Sequence, residues 1–158
     1  MTKTPAQPIA NLARRFARLS NRNRGLAAEA VMWLAASRMA LVFLPFNSIA
    51  ARLGTFSAPG HAAPNPTELS PEQLHIAHEI GWAVTRAARY VPFRAVCLPQ
   101  AIAAKMMLRR RHVASALHFG VAIAAGEPLK AHAWLDADGV EVTGFPIAAE
   151  FVETARFD

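Results

Sequence analysis

The hydrophobic periodicity of the chain changes near residue 115, and this change sets the class of fold. Before it, apolar residues recur every three or four positions, as on helices, and Ser70 opens a capping box with proline at the first helical position of the run over 71–90. After it, residues 117–143 alternate as three strands, with Asp138-Gly139 as a two-residue hairpin signal between the second and the third. Helices followed by an antiparallel sheet predict an α+β fold.

Composition and proline spacing divide the chain into three segments. We predict a hydrophobic helical region over residues 1–55, a proline-rich loop over residues 56–70 and a core domain over residues 71–158. Within the first segment, residues 9–20 have the spacing of a short amphipathic helix. A chain of 158 residues, 53% of them hydrophobic, is long enough to bury a core of its own.

The stretch 25–44 is the most hydrophobic part of the chain and is about long enough to span a bilayer. Glu29 and Arg38 lie well inside it, and each would cost roughly 2.5–3.5 kcal/mol at the membrane centre. We therefore predict a helix buried in the core of a soluble protein, with peripheral contact to a membrane as an additional expectation. Pro45 ends this helix.

The net charge of +6 raises the question of nucleic-acid binding. The excess is concentrated in residues 14–24 and 109–111, and arginines at a helix end are favourable to the helix dipole in any case. We therefore expect no nucleic-acid partner, since an acidic peptide or an anionic membrane surface fits the charge at least as well.

The number of cysteines and the motifs present indicate which compartment and which cofactors the protein uses. A single cysteine cannot form an internal disulfide, which is typical of a reduced, cytoplasmic compartment. The sequence has no CxxC, HExxH or carboxylate cluster that would suggest a metal, and no glycine-rich loop that would suggest a nucleotide. We expect neither a metal nor an organic cofactor.

The single cysteine, Cys97, lies on the first turn of a helix predicted to run to about residue 111, where the helix dipole favours a thiolate. The backbone N–H groups of Cys97 and Leu98 are candidate oxyanion donors, because Pro99 has none. A cysteine hydrolase also needs an imidazole base and a group that orients it. The histidines that could supply the base are His61, His75, His78, His112, His118 and His132. On spacing alone, a packed and unreactive cysteine remains an alternative.

The hairpin register ranks these histidines. With Asp138-Gly139 as the turn, Trp134 is predicted opposite Thr143, so that Thr143 is the diagonal neighbour of His132 on the same face of the sheet. His132 is therefore the candidate base that has a polar group within side-chain reach, and Thr143 is its predicted orienter.

Two stretches within residues 89–144 closely resemble the lasso-peptide leader peptidases: RYVPFRAVCLPQAIAAKMMLRRRHVASALHFGV and KAHAWLDADGVEVTG. These peptidases are transglutaminase-like cysteine proteases. The resemblance implies a papain-like core in which Cys97 attacks the substrate and His132 is the general base. The third member of the family's site, often an aspartate on the next strand, falls at Thr143, and Glu141 on the same predicted face is a substitute.

The resemblance also implies a function and partners. The protein would remove the leader from a ribosomally made lasso precursor peptide, so that a separate ATP-dependent, asparagine-synthetase-like cyclase can close the macrolactam ring. A separate small leader-recognition protein is implied, because residues 1–55 contain no strand-rich segment that could bind the leader. Two alternatives stay open: transfer of the acyl group to an amine instead of water, and a non-catalytic scaffold that holds the peptide at the membrane surface.

Overall fold

The structure is a computed structural model that describes residues 19–58, 68–123 and 128–158. Within these ranges the chain forms four helices: α1 (Asn21–Phe43), α2 (Phe46–Leu53), α3 (Pro71–Ala88) and α4 (Cys97–Arg109). The same ranges contain five strands: β1 (Phe56–Ser57), β2 (Ala116–Ala122), β3 (Lys130–Ala137), β4 (Val140–Thr143) and β5 (Val152–Phe157). Most of the amphipathic helix predicted over residues 9–20 lies outside the described residues, as does most of the predicted proline-rich loop.

The five strands form one antiparallel sheet in the order β1-β5-β2-β3-β4. Helix α4 is central: it packs against β2, β3 and β4 on one side and against α1 and α3 on the other. Apolar side chains from all of these elements form one buried core. The predicted α+β fold is therefore confirmed, with helices preceding the sheet along the chain.

The start of α3 follows the local chemistry predicted for it. The Ser70 hydroxyl accepts a hydrogen bond from the Gln73 N–H at 3.3 Å, and the Gln73 side chain accepts one from the Ser70 N–H at 2.9 Å. Pro71 occupies the first helical position, where a missing N–H costs nothing. The capping box read from the sequence is confirmed.

Helix α1 begins after Ser20, whose hydroxyl caps it, and ends just before Pro45. One face is buried against α3 and α4 through four side chains: Leu26, Ala30, Leu34 and Ser37. On the flank of that face, Glu29 accepts a hydrogen bond from Arg111 at 2.7 Å, and this bond is the main reason why the pKa of Glu29 lies below its usual value. The predicted burial therefore holds for one face of α1 only. By length and composition α1 is a helix that could cross a membrane.

The hairpin between β3 and β4 forms at the predicted turn, but its register differs from the prediction. Ala137 pairs with Val140 across Asp138-Gly139, as expected, whereas the next pairs show a one-residue shift. Val142 is the extra residue of this β-bulge, and Thr143 consequently lies opposite Leu135 instead of Trp134. The predicted register was wrong from that point, because a bulge moves every later side chain of β4 to the other face of the sheet.

Two strands were not predicted from the sequence. Strand β5 pairs with β2, and β1 pairs with β5, so that the two residues of β1 occupy the start of the segment predicted as a proline-rich loop. Only Phe157 of β5 is fully buried, which explains why the segment shows no clear apolar alternation. The division of the chain into three segments at residues 55 and 70 remains a prediction.

Candidate active site

The Cys97 thiol is placed by the start of α4. Cys97 is the first residue of this helix, follows the cap residue Val96, and is half-buried against the hydrophobic core. The side chain of Gln100, one turn on, donates a hydrogen bond to the Ala95 carbonyl at 2.6 Å and thereby ties the preceding loop to the helix. The thiol is free, and the residue is partly exposed.

The first turn of α4 leaves backbone donors beside the thiol. The Gln100 N–H donates to the Val96 carbonyl at 3.3 Å, so the amides of Cys97 and Leu98 precede the first bond of the helix. Pro99, which is buried at the third position, has no N–H to add. Two N–H groups at the positive end of the helix dipole are therefore available to an oxyanion formed at Cys97.

Cys97 and His132 lie on neighbouring elements, because α4 packs against β3. Ala133 and Leu135 of β3 are buried in the core together with side chains of α4. His132, the third residue of β3, alternates with them and shares the other face of the sheet with Trp134 and with its pairing partner Gly120. No hydrogen bond joins the two side chains within the part of the chain that the structure describes.

The His132 ring is held in one orientation by its surroundings. Its Nε2 lies 2.6 Å from the Gly144 carbonyl oxygen, and its ring packs on Phe151 with centroids 5.2 Å apart. Because a carbonyl oxygen can only accept, Nε2 must carry the proton, and the neutral ring keeps its lone pair on Nδ1. In this tautomer Nδ1 is the nitrogen that can accept a proton as a general base.

Gly144 can lie this close to the backbone of β3 because it lacks a side chain. Its φ is +86°, and a Cβ at this position would lie 2.5 Å from the Ala133 carbonyl oxygen and 2.8 Å from the Trp134 Cα. Both conditions favour glycine. The carbonyl of Gly144 therefore occupies the place in the site that a third side chain was expected to fill.

The structure does not bring either predicted third residue to His132. Thr143 lies on the opposite face of the sheet because of the bulge, is 2% exposed, and its hydroxyl has no hydrogen-bond partner among the described residues. Glu141 is exposed and pairs with Asp136, which is about 13 Å along β3 from His132. The geometric argument for Thr143 as the orienter was therefore wrong, and the Gly144 carbonyl is the partner that the sequence analysis missed.

His118, the other histidine on a strand, contacts two carboxylates through its two ring nitrogens. Its Nδ1 lies 3.0 Å from a Glu153 oxygen and its Nε2 lies 2.5 Å from an Asp136 oxygen. Burial lowers its pKa, but the hydrogen bonds and charges of Asp136 and Glu153 outweigh burial, so the pKa of His118 is raised above its usual value. Because both ring nitrogens face carboxylate oxygens, neither nitrogen of His118 is directed toward a substrate or a thiol as a base.

The remaining histidines have no place in such a site. His75 and His78 lie on α3, with His75 exposed and 3.6 Å from Glu79, and His112 lies in the turn after α4. His61 lies outside the described residues.

Trp134 connects the two strand histidines. Its ring stacks on His118 with centroids 5.4 Å apart and planes 1° from parallel, and on His132 with centroids 6.0 Å apart. A Cβ at Gly120 would lie 2.7 Å from this indole, so glycine there makes room for it. Trp134 thus packs against the His132 ring. The alternation of β3 predicted only that the two side chains share a face of the sheet.

Within residues 19–58, 68–123 and 128–158, no group of three or more histidine, cysteine, aspartate or glutamate side chains is arranged to hold a metal ion. The candidate groups for acyl-transfer chemistry are the Cys97 thiol, the His132 imidazole and the backbone amides at the start of α4.

A cysteine at the start of the central helix and a histidine on a strand that packs against this helix are the residue types that cysteine-dependent acyl transfer uses. The family profile described as the transglutaminase-like superfamily matches residues 40–155, more than two thirds of the chain. The chain belongs to this superfamily, in which cysteine protease and acyltransferase activities are found. Neither the curated proteins nor the solved structures gave a match to it.

Proposed function

We propose that this protein is a cysteine peptidase that removes the leader from a ribosomally synthesised lasso-peptide precursor. The observation that supports a peptidase is the His132 ring, whose Nε2 lies 2.6 Å from the Gly144 carbonyl oxygen, so that Nδ1 keeps its lone pair. The lasso assignment is supported by the resemblance carried within residues 89–144.

In the first half of the reaction, Nδ1 of His132 takes the thiol proton and the Cys97 sulfur attacks the carbonyl carbon of the bond after the leader. The oxyanion is stabilised by the amides of Cys97 and Leu98. As the C–N bond breaks, the His132 imidazolium gives its proton to the leaving nitrogen. The products are a thioester between the leader and Cys97 and a core peptide with a free α-amine.

In the second half, His132 takes a proton from water and hydroxide attacks the thioester carbonyl. The C–S bond breaks, the thiolate recovers its proton from His132, and the leader leaves with a free carboxylate. The α-amine released in the first half is the nucleophile that macrolactam formation needs. A separate ATP-dependent, asparagine-synthetase-like cyclase therefore acts after this protein, in the cytoplasm, and a small leader-recognition protein delivers the precursor.

Mass spectrometry of the precursor after incubation with this protein and the recognition protein tests the proposal. Cys97→Ala and His132→Ala should each abolish leader removal, and their losses should not add because the two groups act as one unit. His75→Ala is the matched control, because His75 is an exposed histidine on α3, and it should cleave at the parent rate. Complete cleavage by Cys97→Ala would overturn the assignment.

Acyl transfer to an amine is the second candidate, and membership of the transglutaminase-like superfamily favours it. It shares the thioester and differs only in the second nucleophile. If a primary amine added to the reaction is found in amide linkage to the leader while water competes poorly, the protein is an acyltransferase. If the leader leaves as a free acid even at high amine concentration, it is a peptidase.

A further inference from the structure

Helix α1 has a second apolar face whose large side chains are exposed; at its end, in α2, Phe46 also packs edge-on against Phe119 with ring centroids 6.0 Å apart. Seven exposed side chains lie along this face and its continuation into the start of α2, and we call them the outer stripe: Val31, Met32, Met39, Val42, Phe43, Leu44 and Phe46. Their exposed fractions lie between 43% and 69%. A helix at a protein surface ordinarily turns polar residues to water, so a continuous apolar face of this length marks an interaction surface.

The charge around the outer stripe is positive. From the start of α1 to the end of α2 the chain has four arginines and a single acidic residue, Glu29. That carboxylate is already neutralised by Arg111 at 2.7 Å. Arg38 and Arg52 are exposed, the first beside the stripe on α1 and the second on α2. The surface therefore combines apolar side chains with arginines and has no uncompensated negative charge of its own between residues 21 and 53.

The outer stripe continues around the corner between α1 and α2. Residues 42–47, which run from the end of α1 into the start of α2, are six consecutive exposed residues and include Phe43 and Phe46. Aromatic and aliphatic side chains on such a corner are suited to the headgroup–acyl boundary of a bilayer, with arginines at the level of the phosphates.

The opposite face of α1 excludes a spanning arrangement. It is buried against α3 and α4 and is flanked by the Glu29–Arg111 ion pair, which would have to enter the hydrocarbon if α1 crossed the membrane. A second copy of the chain is also a poor occupant. Both copies would bring the same arginines to the contact, and neither would bring an uncompensated carboxylate from residues 21–53.

We propose that the outer stripe, with Arg38 and Arg52, binds the surface of an anionic phospholipid bilayer, so that the protein works as a peripheral membrane protein. The proposal does not depend on the peptidase assignment. Its test is a binding measurement, which would fail or succeed whether or not the protein cleaves a leader.

Vesicle flotation with the full chain tests this surface directly. We expect binding to vesicles of phosphatidylcholine containing phosphatidylglycerol, weakened by salt, and much weaker binding to phosphatidylcholine alone. Arg38→Gln should weaken binding by about fivefold, and adding Arg52→Gln by about fivefold again. Met39→Gln with Phe43→Gln should weaken it at least tenfold.

Two matched controls separate this surface from general charge and hydrophobicity. Arg94→Gln removes an exposed arginine from the loop before α4, and Ile123→Gln removes a side chain that is 81% exposed at the end of β2. Both should bind like the parent, and all variants should keep the parent's circular dichroism spectrum.

Three outcomes would overturn the proposal. One is no binding to either vesicle, and another is equal loss in the control variants. The third is a dimer in light scattering that Met39→Gln with Phe43→Gln converts to a monomer, which would assign the stripe to a second copy.

Discussion

Gly144→Ala tests the part of the site that the sequence did not predict. Gly144 has φ +86°, and an added methyl group would lie 2.5 Å from the Ala133 carbonyl oxygen. Gly139 is the matched control, because its φ is +79° and nothing lies within 4 Å of an added Cβ. Both variants place alanine in the left-handed region, at a cost of about 1–2 kcal/mol each.

Only Gly144→Ala also forces backbone to move, and overpacking of this kind costs about 1–3 kcal/mol more. We expect the free energy of unfolding, from urea titrations followed by tryptophan fluorescence, to fall by about 2–5 kcal/mol in Gly144→Ala and by about 1–2 kcal/mol in Gly139→Ala. The shift separates the Gly144 carbonyl from His132 Nε2, now 2.6 Å away. Leader removal by the folded Gly144→Ala protein should therefore slow by about ten- to a hundredfold, less than the ~10⁴ lost with an aspartate partner in a serine protease.

Gly139→Ala should cleave at the parent rate once corrected for the folded fraction. The reasoning is refuted if the two variants lose the same stability and Gly144→Ala retains full activity. That result would mean that the Gly144 carbonyl neither crowds the strand nor orients the ring.

Three further predictions concern buried polar groups. Burial lowers the pKa of Lys105 from 10.5 to about 8, so between these pH values the unfolded chain binds the proton more tightly than the folded protein does. The free energy of unfolding should therefore rise by about 3 kcal/mol from pH 8 to pH 10.5. Lys105→Met should abolish this rise. The raised pKa of His118 predicts the opposite pH dependence of stability. The stabilisation that His118 contributes is fully present below about pH 6.5 and is lost as the pH rises through the raised pKa. His118→Ala, which leaves Asp136 and Glu153 unpaired, should remove that dependence and cost about 3–5 kcal/mol near neutrality, as measured by urea unfolding across pH. Thr143→Val removes a buried hydroxyl that has no partner, so stability should stay level or rise by about 1 kcal/mol with leader removal unchanged; a tenfold slower cleavage would restore Thr143 to the site.

Local signals predicted the elements that position the candidate nucleophile. The capping box at Ser70 and the turn at Asp138-Gly139 each act through the residues that form them, so their chemistry can be read without knowing the fold. Cys97 begins its helix as expected, with Pro99 in the first turn.

Tertiary packing decided what the sequence could not predict. The bulge at Val142 has no signature of its own, since Val142 and Thr143 are both buried and either could continue the alternation. One extra residue moved Thr143 away from His132 and brought the carbonyl of Gly144 into its place. A backbone acceptor carries no residue-type signal, so no reading of side chains would have found it.

Tertiary packing also determines β5 and the contacts of His118 with Asp136 and Glu153, which the sequence did not predict. Glu153 reaches His118 only because β5 pairs with β2, and β5 buries too little apolar surface to be recognised as a strand. Glu153 could therefore not be predicted as the partner of the buried His118 without the strand order of the sheet.

The central claim is that Cys97 and His132 act as one unit, and alkylation of the thiol tests it without any substrate. The chain contains one cysteine, so the mass added by iodoacetamide reports on Cys97 alone. At neutral pH the account predicts rapid alkylation of the parent, an unchanged rate in His75→Ala, and a rate at least tenfold lower in folded His132→Ala. Equal rates in the parent and in His132→Ala would contradict it.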